Sequence, residues 1–183
     1  IGAGNMSRSI IAGLVQAGYP AERIIAANPS RPKLDALASE YDIRITQNNA
    51  EAAREADVIV LAVKPQLMAG MLTALVAELG SLDGKLLISI AAGIRVARLQ
   101  EMAGGHDRII RTMPNTPSLL GLGMTGLYAP PAIGQADRAV AEQMMQSVGK
   151  TLWVDEEAGI NGVIAAAGSA PAYFFLFMQG IAE

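Results

Sequence analysis

The sequence predicts an α/β fold: a doubly wound, mostly parallel β-sheet followed by the start of an all-helical C-terminal domain. Short β-rich runs alternate with longer helical segments, as in repeated βαβ units. Of the 183 residues, 51% are hydrophobic but only 4% aromatic, which suits a parallel sheet covered by helices on both faces. From about residue 156 the pattern changes to Ala- and Gly-rich helix. We therefore expect one domain over residues 1–155 and the beginning of a helical domain over residues 156–183.

The individual elements are predicted from the spacing of their apolar residues. The run 58–63 is apolar throughout, which favours a central strand of a parallel sheet. Strands are expected at residues 23–27, 43–46, 57–63, 85–90, 108–113, 123–128 and 151–154. Helices are expected at residues 6–17, 31–40, 49–55, 65–79, 94–102 and 133–148.

Composition excludes several classes of partner. The net charge is −3 and Lys and Arg are not clustered, so no electrostatic footprint for nucleic acid is present. The chain has no Cys, which rules out disulfides and suits a reducing cytoplasm, and with a single His a metal site is not expected. We expect no apolar run long enough to span a bilayer, and therefore no membrane partner. From the charge pattern, no nucleic-acid partner is expected either.

Both ends of the chain fall inside sequence patterns. Ile1 stands directly at a glycine motif that normally follows a complete strand. Glu183 closes an apolar stretch that carries no helix-capping signal after it. We expect the chain to be a fragment that lacks a few strand residues and most of its second domain.

The glycine motif is Gly-Ala-Gly-Asn-Met-Ser at residues 2–7, which fits the pattern G-x-G-x-x-[G/A/S]. Gly2 permits a tight turn, Gly4 lets a pyrophosphate approach the backbone, and the small Ser7 allows close packing of helix on strand. Such a turn can also serve packing alone. The helical pattern after it and the strand-like run at 23–27 supply the βαβ context, so we predict a Rossmann-type dinucleotide-binding domain.

The end of the second strand indicates which dinucleotide is preferred. NAD enzymes place Asp or Glu there to bind the ribose 2′-hydroxyl, whereas this chain has Asn28. Ser30 and Arg31 follow and offer neutral and cationic donors that suit a 2′-phosphate. The pattern favours NADP, with NAD still possible. Residues 28–32 can also form an ordinary polar turn with Ser30 as a helix N-cap, which would still be compatible with cofactor binding.

Three further loops follow strands at the same edge of the sheet, where ligands bind in open α/β folds. Lys64 precedes Pro65 and is either a solvated lysine or a group that faces the cofactor. The small residues Ala91 and Ala92 leave room for a nicotinamide ring, although helix packing also explains them. Asn115 lies between two prolines, which either present it to a substrate or form a rigid turn.

The segments IGAGNM, AVKPQ, SIAAGI, RTMPNTP and GSAPAYFF, in this order and spacing, resemble pyrroline-5-carboxylate reductases along the whole chain. The resemblance implies NADPH-dependent reduction of 1-pyrroline-5-carboxylate to L-proline, the final step of proline biosynthesis. It also implies a homodimer or higher homo-oligomer that assembles through the helical domain. A substrate-binding Ser-Pro-Gly-Gly-Thr-Thr type loop of the family is absent from this chain.

The resemblance also maps site residues onto the chain. No catalytic residue is assigned; Asn115 and Ser169 are the candidates to border the substrate. The cofactor contacts it implies are Ile1, Gly2, Ala3, Gly4, Asn5, Met6, Asn28, Ser30, Arg31, Asn49, Ala62, Val63, Lys64, Pro65, Ile90, Ala91 and Ala92.

Two other functions stay open. A dehydrogenase acting on 3-hydroxyacids would carry a catalytic Lys in the first long helix after the Rossmann domain, and residues 161–183 contain no Lys. A non-catalytic NADP-binding module would use the apolar helices as an interaction surface. Oxidation of NADPH with pyrroline-5-carboxylate separates such a module from a reductase.

Overall fold

The computed structural model describes residues 1–182, except for the side chain of Ser169. Its strands form a parallel pair, β1 with β2, and a five-stranded sheet in the order β3-β4-β5-β6-β7. The strands are β1 (Ile25–Ala27), β2 (Arg44–Thr46), β3 (Val58–Leu61), β4 (Leu86–Ser89), β5 (Ile109–Met113), β6 (Gly123–Tyr128) and β7 (Gly149–Trp153).

The first two residues of the chain join the two sheets. The nitrogen of Ile1 donates to the carbonyl of Val60 at 2.8 Å, and the N–H of Ala62 donates to the carbonyl of Ile1 at 2.9 Å. On the other side, the N–H of Gly2 donates to the carbonyl of Ala27 at 2.7 Å. The backbone of Ile1 and Gly2 therefore lies between β1 and β3 as a central extended segment, directly before the glycine loop.

Helices cover both faces of the sheet. They are α1 (Asn5–Gln16), α2 (Arg31–Tyr41), α3 (Asn49–Glu55), α4 (Pro65–Leu79), α5 (Val96–Met102) and α6 (Gln135–Gln146). Alternate residues of β4 point to opposite faces: Leu87 packs with α3, α4 and α5, whereas Leu86 and Ile88 pack with α1 and α6. A third cluster packs α1 and α2 on β1. The predicted doubly wound α/β architecture is confirmed.

One connection departs from parallel pairing. β6 runs antiparallel to β5, with Arg111 opposite Tyr128 and Met113 opposite Gly126. The connection between them contains only a 3-10 helix, Thr116–Leu120. A parallel return needs a crossover of about a dozen residues or more, so this short loop permits only the antiparallel arrangement.

The chain continues after β7 into a nearly unbroken helical stretch. It consists of α7 (Gly159–Val163), a π-helical turn (Ile164–Ser169) and α8 (Ala170–Ala182). α7 is fixed to the sheet by the buried Ile160. α8, by contrast, contains no buried residue. The division of the chain into two domains near residue 156 stays a prediction.

The helical stretch Gly159–Ala182 corrects one expectation from the sequence. It is 24 residues long and contains an 18-residue window with a mean hydropathy of 1.5, which is enough by length and composition to cross a membrane. The expectation that no apolar run reaches this length is therefore wrong, because polar residues such as Asn161 and Gln179 interrupt the run without adding a charge. Helices of proteins outside membranes pass the same test, so the absence of a membrane partner stays a prediction.

Candidate dinucleotide-binding site

The predicted cofactor residues surround the carboxyl ends of the central strands. The glycine loop follows the Ile1–Gly2 segment, Asn28 follows β1, Ala62 follows β3 and Ile90 follows β4. From the Ile1–Gly2 segment, the chain returns through α1 to β1 on one side, whereas β3 lies on the other side. This is the point in an open α/β sheet where strand connections diverge and leave a crevice for a ligand.

Gly2 has a backbone conformation and a position that exclude other residues. Its φ angle is 104°, in the region that favours glycine. A Cβ atom at this position would lie 2.5 Å from the carbonyl oxygen of Ala62. The close approach of the loop to the end of β3 therefore depends on the absence of a side chain at residue 2.

The N-terminus of α1 is open toward a ligand. Gly4 is its N-cap residue, no side chain caps the helix, and its first turn contains no acidic residue. The first N–H groups of a helix have no partner within the helix, and together with the helix dipole they favour an anion. A Cβ on Gly4 would meet no atom within 4 Å, so the space above the loop is open. Ser7 is buried and donates to the carbonyl of Gly4 at 2.9 Å, as its packing role predicts.

Asn28 holds the glycine loop against the end of β1. Its Oδ1 accepts a hydrogen bond from the N–H of Ala3 at 3.2 Å, and its Nδ2 donates to the carbonyl of Ser30 at 3.3 Å. An Asp at this position could accept the first bond but could not donate the second. Asn28 thus fixes the loop geometry and places no carboxylate at the end of β1.

Ser30 and Arg31 lie at the start of α2. Ser30 occupies the N-cap position, but its side chain makes no capping hydrogen bond. The Nε of Arg31 donates to Asp35 Oδ1 at 2.7 Å, in an exposed pair one helical turn apart. Such exposed pairs contribute little, so the guanidinium can reorient toward a phosphate. Both residues suit a 2′-phosphate chemically, and their contact with a cofactor stays a prediction.

The remaining cofactor candidates fall into three groups. Lys64 is the exposed N-cap residue of α4, and Pro65 occupies the first position of that helix. Ala91 is buried whereas Ala92 is exposed at the end of β4. Asn49 begins α3 and is one of the residues that line a cavity of about 310 Å³ between α3 and α4. All three groups follow the carboxyl ends of parallel strands and therefore lie at the same edge of the sheet.

Asn115 is buried and its amide group is bonded to backbone atoms on both sides. Its Oδ1 accepts from the N–H of Met124 at 2.9 Å, and its Nδ2 donates to the carbonyl of Ala167 at 3.0 Å. The prediction that it borders a substrate stays a prediction. The side chain of Ser169, the other candidate, lies outside the described part of the structure.

A buried ion pair near this edge was not predicted from the sequence. Arg111 on β5 is only 3% exposed, and its Nη1 donates to Glu157 Oε1 at 3.0 Å. The same oxygen accepts the N–H of Val96, the first residue of α5, at 2.8 Å. No local pattern links residues so far apart in the chain.

Comparison with known proteins agrees with this geometry. Residues 1–93 match the family described as NADP oxidoreductase, coenzyme F420-dependent. A pyrroline-5-carboxylate reductase of Vibrio alginolyticus is 54% identical to 99% of this chain, which spans 66% of that relative. Its counterpart from Pasteurella multocida is 40% identical over the whole chain, which spans 67% of it.

Two solved structures show the same fold. A pyrroline-5-carboxylate reductase of Coxiella burnetii superposes with a TM-score of 0.92 at 38% identity, covering 98% of this chain and 66% of that one. The NADP-bound pyrroline carboxylate reductase of Plasmodium falciparum superposes with a TM-score of 0.84 at 29% identity, covering 98% of this chain and 64% of that one. The chain thus spans about two thirds of the length of the relatives it matches. It belongs to the pyrroline-5-carboxylate reductase family.

Proposed function

We propose that the protein reduces the C=N bond of 1-pyrroline-5-carboxylate with NADPH, giving L-proline and NADP⁺, the last step of proline biosynthesis. The observation that carries the proposal is the uncapped N-terminus of α1 behind a glycine loop that Asn28 closes. Family membership and the NADP bound to the Plasmodium falciparum relative support it.

The residues present fit a dinucleotide. The missing side chain at Gly2 keeps the loop against β3, and the open space above Gly4 admits a pyrophosphate to the N–H groups of α1. The cofactor contacts that we propose are Ile1, Gly2, Ala3, Gly4, Asn5, Met6, Asn28, Ser30, Arg31, Asn49, Ala62, Val63, Lys64, Pro65, Ile90, Ala91 and Ala92.

The NADP preference rests on Asn28 and Arg31. With no carboxylate at residue 28, the 2′-phosphate meets no repulsion from the end of β1. Arg31, the first residue of α2, supplies a cation nearby. Asp35 competes for Arg31, and solvent screening keeps that exposed competition weak.

The protein's task at the substrate is to place it and exclude water. Bound NADPH supplies a hydride to the imine carbon, and the imine nitrogen takes up a proton. The end of β5 and the π-helical turn lie beside the edge at which a nicotinamide would stand, so Asn115 and Ser169 border our proposed substrate position.

We further propose that the protein is a cytoplasmic homodimer or higher homo-oligomer. α8 exposes a row of large apolar side chains, and a second copy of the helical domain would cover them. Its exposed members are Tyr173, Phe174, Phe175, Leu176, Phe177, Met178 and Ile181. Light scattering on the intact protein tests this assembly.

The activity is tested by incubating the intact protein with NADPH and 1-pyrroline-5-carboxylate. NADPH oxidation and L-proline formation are measured together, and one proline should appear for each NADPH consumed. A protein that binds NADPH and forms no proline is a binding module, which contradicts the proposal. A protein that oxidises 3-hydroxyacids with NADP⁺ instead supports the rival dehydrogenase.

A further inference from the structure

We propose that Asn115 is a positioning residue: its amide holds the π-helical turn that precedes Pro171 in place and so fixes the backbone of residues 164–170 over the end of β5. Its kinetic consequence rests on the proposed function, whereas its structural consequence does not. The role differs from direct contact with the substrate, and the experiment below separates the two.

The irregularity in this helical stretch originates in the sequence. In an α-helix the N–H of residue 171 would donate to the carbonyl of Ala167, but Pro171 has no N–H and its ring crowds that carbonyl. The structure shows a π-helical turn, Ile164–Ser169, which ends two residues before the proline, and Pro171 is the second residue of α8. The carbonyl of Ala167 thus lacks the donor that a regular helix would provide.

Asn115 supplies that donor from another part of the fold. Its Nδ2 lies 3.0 Å from the carbonyl oxygen of Ala167, a residue 52 positions away in sequence. Its Oδ1 is held by the N–H of Met124, and the residue is 8% exposed. Because both ends of the amide are bound, the side chain links the start of strand β6 to the π-helical turn.

This link fixes the position of a segment at the ligand edge of the sheet. A Cβ on Gly168 would lie 3.7 Å from the Cε atom of Met113, so the π-helical turn packs on the last residue of β5. Ligands of open α/β sheets bind at this edge. A displaced Ala167 carbonyl would therefore shift the backbone beside the substrate while leaving the glycine loop unchanged.

The test uses Asn115→Asp in the intact protein, because Asp keeps the acceptor for Met124 and removes the donor to Ala167. We expect amide hydrogen exchange across residues 164–175 to become at least about tenfold faster. We also expect KM for 1-pyrroline-5-carboxylate to rise about tenfold, with NADPH binding unchanged. Thr116→Asp, which adds the same charge at the adjacent exposed residue, is the matched control and should change neither quantity.

A second substitution that restores the lost donor provides the decisive test. Pro171→Ala gives residue 171 an N–H that can donate to Ala167, so the double variant Asn115→Asp/Pro171→Ala should recover slow exchange. If Asn115→Asp alone does not fold, the double variant should fold. Failure of the second substitution to restore slow exchange, or folding, overturns the proposal.

The kinetic and structural readouts also separate this inference from the proposed function. If the wild-type protein forms no proline, the proposed function fails, but exchange and rescue still test Asn115. If Asn115→Asp lowers kcat without changing hydrogen exchange, Asn115 contacts the reacting atoms and the positioning role is overturned. If neither exchange nor KM changes, it is overturned as well.

Discussion

The first 155 residues and α8 use apolar side chains in opposite ways. In the first region Leu61, Leu87 and Ile109 are 0% exposed, packed between the sheet and its helices. In α8, Phe174 is 66% and Phe177 is 67% exposed. The sheet and its helices in the first region bury a shared apolar core, whereas the large apolar side chains of α8 lie exposed. Our proposals accordingly place cofactor binding in the first region and assembly in α8.

The sharpest way to break this comparison is Leu87→Ala. Leu87 is fully buried on the central strand β4, so its truncation leaves a cavity and should lower the free energy of unfolding by about 3 kcal/mol. Thermal unfolding at several protein concentrations measures the change, which should not depend on concentration. Phe174→Ala is the matched variant in α8 and should destabilise only at concentrations where the oligomer forms. A concentration-independent loss for Phe174→Ala would show that α8 is packed within its own chain.

The junction between the two regions should be the next most sensitive place. Glu157→Gln leaves the buried guanidinium of Arg111 without its counter-charge and should cost about 2 to 3 kcal/mol. Chemical denaturation measures this free energy of unfolding. Glu101→Gln removes an exposed partner of Arg98 and should cost less than about 0.5 kcal/mol. Equal losses of unfolding free energy for the two variants would show that the buried ion pair of Arg111 and Glu157 adds no more stability than an exposed one.

Within the first region, Asn28→Asp should weaken the preference for NADPH over NADH. The new carboxylate would repel a 2′-phosphate and could no longer donate to Ser30, so NADPH affinity should fall about tenfold. NADH serves as the control because it lacks that phosphate, and its affinity should stay the same or rise. Fluorescence titration measures both. A parallel loss of both cofactors would mean that the residue acts only on loop shape.

The smallest expected effect is a loss of folding stability at acidic pH. Hydrogen bonds from Arg108 lower the pKa of Asp137 below its ordinary value. A carboxyl whose pKa is lower in the folded protein than in the unfolded chain stabilises the fold. This contribution is fully present above the unfolded pKa of about 4, and it is lost as the pH falls through the folded pKa. Solvent screening limits the contribution to less than about 1 kcal/mol. Asp137→Asn should flatten this part of a stability-against-pH curve, and an unchanged curve would contradict the assignment.

Much of the first region could be predicted from the sequence because its signals are local. The predicted bounds of α3 and α4 coincide with the observed helices Asn49–Glu55 and Pro65–Leu79, since an asparagine cap and a proline mark their starts. The predicted strand at residues 57–63 shortens to Val58–Leu61, although Ala62 still bonds to Ile1. Strand ends of this kind depend on partners that lie elsewhere in the chain.

The site could be predicted only where a motif carries its own geometry. Gly2 and Asn28 could be nominated from the sequence because a turn and a strand end have fixed spacings, and their contact with a cofactor stays a prediction. The partners of Arg111 and Asn115 lie 46 and 52 residues away, and no periodicity reports such a distance.

The measurement that tests the central claim most directly is calorimetric titration of NADPH into the intact protein and two glycine variants. Gly2→Val places a side chain against Ala62 at a φ of 104°, and Gly70→Ala adds a Cβ on α4 where no atom lies within 4 Å. We predict that wild type and Gly70→Ala bind NADPH equally, and that Gly2→Val, with unchanged helix content, binds at least about 100-fold more weakly. Equal binding by Gly2→Val, or no binding by the wild type, would contradict the account.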